Sequence, residues 1–281
     1  MRALFLILTL CLPMTAHAGL LDLLPLKRIE RKMLYPLSTV EVPPADIGLN
    51  RAKAHDLDHA GHRLVVWTVL TAKPNAPTVL YFHGNAGNLA VRGERFALFQ
   101  KQGINVIAMS YRGSSGSESV PSEAGITADA LHVFNQVPSL ISGATAEEIV
   151  LYGESLGSAV AISLLEKLPA HKRPAGLILE APFTSTPAMA RTMAELPENL
   201  IARISDRWDS LSRAASITVP MLVLHGSADE VTPIEMGRKM FRAAAIKDKD
   251  FIAVPNASHS ATWRNETMPK IWRFIHAYGG R

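Results

Sequence analysis

Apolar and polar positions along this chain follow two rhythms, and the order in which those rhythms alternate predicts an architecture. Short, nearly unbroken apolar runs at 64–70, 78–82, 104–109, 148–152, 177–180, 221–225 and 250–254 read as strands buried on both faces. Between them, apolar residues recur at helical spacing near 91–102, 123–137, 156–168, 234–245 and 265–277. Strand and helix in turn predict one α/β domain: a mostly parallel central sheet, flanking helices, right-handed crossovers, and chemistry at the carboxyl ends of the strands. The domain is expected over 61–281, after an amphipathic or extended segment at 19–60. The stretch between Glu180 and Met221 is longer than one crossover helix requires, so a small helical cap is expected at about 183–216. Its apolar positions include Met189, Met193 and Trp208, candidate substrate contacts if the insert covers the site. Packing of the insert onto the domain explains the same pattern.

Candidate chemistry sits at the ends of these strands. Gly153-Glu154-Ser155-Leu156-Gly157 joins the run ending at Tyr152 to the amphipathic stretch carrying Ala159, Val160, Ile162 and Leu165. A serine on so tight a strand-to-helix turn projects its hydroxyl above the sheet, and flanking glycines let the backbones approach. Ser155 is therefore the candidate nucleophile. The amides opening the following helix favour a developing oxyanion there. A second source of donors is the loop His83-Gly84-Asn85-Ala86-Gly87-Asn88, which follows the strand Thr78-Val79-Leu80-Tyr81-Phe82. We assign the oxyanion donors to the amides of Asn85 and Leu156, with His83 ordering the loop. Downstream, Asp229 follows the strand Met221 to His225 and is the candidate acid, while Glu180 is a rival at the end of Leu177-Ile178-Leu179. His259, in a loop after Phe251-Ile252-Ala253-Val254, is the candidate general base. Chain order thus runs nucleophile, acid, base, the order found in α/β-hydrolases.

With these residues in hand, the chain resembles α/β-hydrolases of the BEM46 group and is similar to serine hydrolases of the ABHD13 and ABHD17 type, over about residues 60–278. The matching stretches are Leu80 to Asn88, Tyr111-Arg112-Gly113, Leu151 to Gly157, Asp206 to Leu211 and Val223 to Val231. Two positions depart from that pattern: Ser258 precedes His259 where Gly is usual, and Ser114-Ser115-Gly116 lacks a second aromatic residue. The resemblance implies hydrolysis of a carboxylic ester or thioester, in small-molecule or lipid acyl substrates, through an acyl-enzyme on Ser155. A peptidase or amidase using the same triad, and a catalytically silent binding protein of this fold, are the alternatives. Neither metal nor organic cofactor is required by such chemistry.

Composition adds compartment and surface. At 281 residues, 48% hydrophobic and 19% charged, the chain can bury one large core. Arg2, the apolar run Ala3 to Leu12, and Ala16-His17-Ala18 before Gly19 read as a secretory signal peptide at 1–18, predicting export, in a bacterium to the periplasm. Cys11, the one cysteine, lies within it, so the mature chain would hold no thiol. Formal charge is only +4, and nothing suggests nucleic acid. Lys27, Arg28, Arg31 and Lys32 cluster beside leucines, a segment suited either to peripheral contact with an anionic membrane or to packing on the domain. His55, Asp56, Asp58, His59 and His62 could ligate a metal, but a polar turn before the strand at 64 accounts for them and no metal site is expected.

Overall fold

The seven apolar runs, with one polar stretch before them, form a single eight-stranded sheet in the computed structural model, which describes residues 26–193 and 196–280. Its strands are β1 (Ala52–His59), β2 (His62–Val69), β3 (Thr78–Phe82), β4 (Asn105–Met109), β5 (Val150–Glu154), β6 (Gly176–Glu180), β7 (Met221–Gly226) and β8 (Lys249–Val254), in spatial order β1-β2-β4-β3-β5-β6-β7-β8. From β4 to β8 every neighbour is parallel; β2 runs antiparallel to both β1 and β4.

Alternation along each central strand decides which face a side chain joins. Leu80 and Phe82 of β3 face one way, into a core shared with Ile126, Val133, Ala159, Val160 and Met240. Those residues come from α3 (Glu123–Asn135), α5 (Leu156–Lys167) and α8 (Ile234–Ala243). Val79 and Tyr81 face the other way, against Phe96, Phe99, Ile271 and Ile275 of α2 (Gly93–Lys101) and α9 (Met268–Tyr278). Both faces are covered, which is why the strands are apolar throughout. The rest of the fold comprises α1 (Leu26–Leu34), the short α4 (Val137–Leu140), and α6 (Thr186–Met193) and α7 (Glu198–Ile201) in the insert between β6 and β7.

Two expectations need correction. The polar stretch before residue 62 is a strand and not a turn: β1 pairs along its length with β2 through a hairpin at Ala60 and Gly61, both at positive φ (55° and 75°). A domain boundary at 61 therefore cuts through the sheet. As an edge strand with one solvated face, β1 carries polar side chains. His55 Nε2 shares a 2.8 Å hydrogen bond with Thr68, Asp56 pairs with Arg63 at 2.9 Å, and His59 Nδ1 lies 2.7 Å from Asp129. Among the described residues no group of three or more His, Cys, Asp or Glu is placed to hold a metal. The predicted signal peptide lies outside the described residues.

Candidate active site

The strand-to-helix turn at Ser155 is tight in the way its glycines suggested. Ser155 has φ 51° and ψ −111°, a strained conformation for a residue with a side chain. A Cβ at Gly157 would collide with the Phe82 carbonyl oxygen, and one at Gly153 with the backbone of Gly157. The turn is fixed by Ser155 N–H donating to Glu180 O (2.8 Å), and the Ser158 hydroxyl donating to Ser155 O (2.6 Å).

Three side chains from distant parts of the chain then meet. His259 Nε2 lies 2.9 Å from Ser155 Oγ, and His259 Nδ1 lies 2.8 Å from Asp229 Oδ2. Asp229 Oδ1 accepts the amides of Val231 (2.9 Å) and Thr232 (2.7 Å), so both carboxylate oxygens are in use. Burial alone would raise the Asp229 pKa; hydrogen bonds from His225, His259 and Thr232 overcome it and hold the carboxyl well below the usual range. This ionised acid can fix the imidazole with hydrogen on Nδ1, leaving Nε2 to accept the serine proton. Glu180, the rival acid, does not reach His259. Its carboxylate is taken up by Arg95 (2.6 and 2.9 Å), Tyr152 (2.7 Å) and Thr262.

Leu156 opens α5, so its amide is among the first-turn donors that lack an acceptor one turn back. The Asn85 amide belongs to the same peptide unit as the Gly84 carbonyl, which takes a 2.6 Å hydrogen bond from His83 Nδ1. In a trans peptide the two groups point in opposite directions, so pinning the carbonyl aims the Asn85 N–H. His83 is fully buried, stacks on Tyr111 at 4.1 Å, and has its pKa pushed down by burial to about 3, so it stays neutral.

One group of residues was missed from sequence: the ionic network beside the nucleophile. Arg92 donates to Ala86 O (2.5 Å) in the loop and to Glu154 (3.0 and 3.3 Å) in the turn, bridging the two halves of the candidate oxyanion site. Tyr81 Oη donates to the same Glu154 carboxylate at 2.6 Å. Burial opposes ionisation of Glu154, but Arg95 and Arg92 outweigh it and bring its pKa to about 2. A signal did exist. A carboxylate ending the otherwise apolar β5 needs a cation, and Arg92 and Arg95, three residues apart on one helical face, follow the loop.

The substrate candidates fare differently. Trp208 is fully buried, and its Nε1–H donates to Tyr35 Oη at 2.9 Å, so it anchors the insert to the chain after α1 and cannot line an open pocket. Met189 is half-buried against the main core and Met193 is 52% exposed. The periodicity that nominated all three gave no direction.

Comparison with known proteins gives the family and the fold. Residues 73–212 and 208–267 match the family described as serine aminopeptidase, S33, and the chain belongs to that family, with the α/β-hydrolase fold. An uncharacterised protein of Mycobacterium tuberculosis is 32% identical over 234 residues, covering 82% of this chain and 80% of that one. The rat lysophosphatidylserine lipase ABHD12 is 31% identical over 235 residues, covering 74% of this chain and 58% of the lipase. Among solved structures, the Pyrococcus furiosus esterase Pf2001 superposes with a TM-score of 0.70 at 20% identity, over 88% of this chain and 98% of the esterase, a likeness of fold. Family and relatives together support a hydrolase.

Proposed function

We propose that this protein is a serine hydrolase acting on carboxylic esters or thioesters of the lipid type. Ser155 Oγ attacks the acyl carbonyl while His259 Nε2 takes its proton. The bond to the leaving alcohol or thiol then breaks, with that proton returned to the leaving group. Water, deprotonated by the same imidazole, attacks the acyl-serine, releases the acid and restores the hydroxyl. Asp229 orients the imidazole and stabilises its cation, and the Asn85 and Leu156 amides receive the oxyanion.

The observation that carries the reading is the unbroken hydrogen-bonded relay from Asp229 through His259 to Ser155, at 2.8 and 2.9 Å. The rat relative is named a lysophosphatidylserine lipase, which supports a lipid ester as substrate. Because the matching family is described as serine aminopeptidase, a second reading keeps the same triad for amide cleavage. Turnover of a short p-nitrophenyl ester, an acyl thioester and an aminoacyl anilide, compared in parallel, separates them. Ester or thioester hydrolysis that disappears in Ser155→Ala is expected, and preference for the anilide would favour the peptidase. The enzyme is exported to the periplasm, residues 1–18 serving as a leader, and its N-terminal segment touches a membrane peripherally.

A further inference from the structure

We infer that the catalytic end of the sheet docks on an anionic phospholipid bilayer, with α1 as the basic anchor and an apolar rim around it. The inference builds on the lipid-ester reading and names the surface on which that substrate is met.

Exposed large apolar side chains are unevenly distributed. Among the described residues, all but Ile47 lie on α1, on the arm after it, or on segments leaving the carboxyl ends of the parallel strands. Val91 (71% exposed) follows β3, Val120 (51%) follows β4, and Val231 (37%) follows β7. Val40 (60%) sits on the arm, where its carbonyl accepts from Asn88 at the end of the loop that carries Asn85. Scattered exposed apolar residues are ordinary, but their collection at the end that holds Ser155 marks a face.

Helix α1 adds the charge. At 100° per residue, Leu26, Glu30 and Leu34 share one line, and all three are half-buried. Glu30, its single acid, accepts the amides of Ser205 (2.9 Å) and Asp206 (2.7 Å) and is turned toward the insert. Arg28 and Lys32 form the opposite crest, with Lys27 and Arg31 on one flank and the exposed Ile29 (43%) and Met33 (49%) on the other. Cations beside exposed apolar side chains, with no outward carboxylate on the helix, complement an anionic headgroup layer over acyl chains.

Position ties anchor to chemistry. Just beyond α1 the chain pairs with the oxyanion loop: Leu37 bridges Gly87, and Ser38 N–H donates to Gly87 O at 2.9 Å. A bilayer held by α1 therefore lies beside the entrance to Ser155.

Cosedimentation of the exported chain, from Gly19 onward, with phosphatidylcholine vesicles, with and without phosphatidylglycerol, tests this. Binding that requires phosphatidylglycerol and weakens with salt is expected, falling about fivefold for each cation removed in Arg28→Ala/Lys32→Ala. Ile29→Ser/Met33→Ser should also weaken it, and all variants should hydrolyse a soluble p-nitrophenyl ester at the wild-type rate. Equal binding to both vesicle types, wild-type binding by both double variants, or retention on heparin without vesicle binding would overturn the proposal. Vesicle binding by a wild type that hydrolyses no soluble ester would instead overturn the hydrolase reading and leave the docking surface in place.

Discussion

Replacing Arg92 by Gln separates support of the fold from support of the oxyanion site. Arg92 is 8% exposed, and its guanidinium spans from Ala86 O at 2.5 Å to the Glu154 carboxylate at 3.0 and 3.3 Å. Without it, Glu154 retains Tyr81 at 2.6 Å and Arg95 at 3.8 Å, so a largely buried carboxylate loses its nearer cation. Breaking such a pair costs about 3 kcal/mol. For a domain of this size, that lowers the melting temperature by roughly 6 °C. The loop carbonyl is freed as well, and a donor displaced from the oxyanion costs about 100-fold in kcat with little change in KM. Steady-state kinetics on a soluble p-nitrophenyl ester, well below the melting temperature, would show the split. A trifluoromethyl ketone, whose adduct places an oxyanion on the same amides, should bind more weakly by a similar factor. Arg92→Lys, which keeps the charge but not the fork, should be intermediate in both. A variant that melts earlier but keeps its kcat and its affinity for the ketone would refute the positioning role and leave Arg92 a support of the fold alone.

Other outcomes follow from the same geometry. Asp229→Asn should lower kcat by about 10⁴-fold, while Glu180→Gln should lower the melting temperature and leave kcat near wild type; the reverse ranking in ester hydrolysis would move the acid to Glu180. Trp208→Phe removes a buried donor to Tyr35, so a loss of about 1 kcal/mol in denaturant unfolding with unchanged KM is expected, and a large rise in KM would return Trp208 to the pocket. The His83 pKa is lowered from 6.5 to about 3 in the fold, so between those values the unfolded chain binds the extra proton. Stability should then be full above about pH 6.5 and fall by up to about 1.4 kcal/mol per pH unit as acid is added. Glu154, lowered from 4.5 to about 2, adds its own loss below the upper value. Melting temperatures from neutral pH down to the carboxylate range should slope less in His83→Asn, and an equal slope would remove His83 as a source.

What the sequence made legible was whatever local periodicity and turn chemistry encode. Central strands such as β3 and β6 are apolar on both faces, so their runs stand out, and the glycines around Ser155 mark a turn that no larger residue fits. β1 escaped notice because an edge strand with a solvated face can carry Lys53, Asp56 and Asp58. Helical spacing shows that the Trp208 side chain is apolar, not that its indole donates to Tyr35, 173 residues earlier. The bridge from Arg92 to Glu154 joins residues 62 apart and becomes visible only when β3 and β5 lie side by side.

On the proposed mechanism the fold makes one hydroxyl nucleophilic. Reaction of the native chain with a fluorophosphonate, followed by peptide mapping, reads this directly. A single adduct on Ser155, lost in Ser155→Ala and on heat unfolding and strongly slowed in His259→Ala, is the expected result. Folded wild-type protein that stays unlabelled, or that carries the label elsewhere, would contradict it.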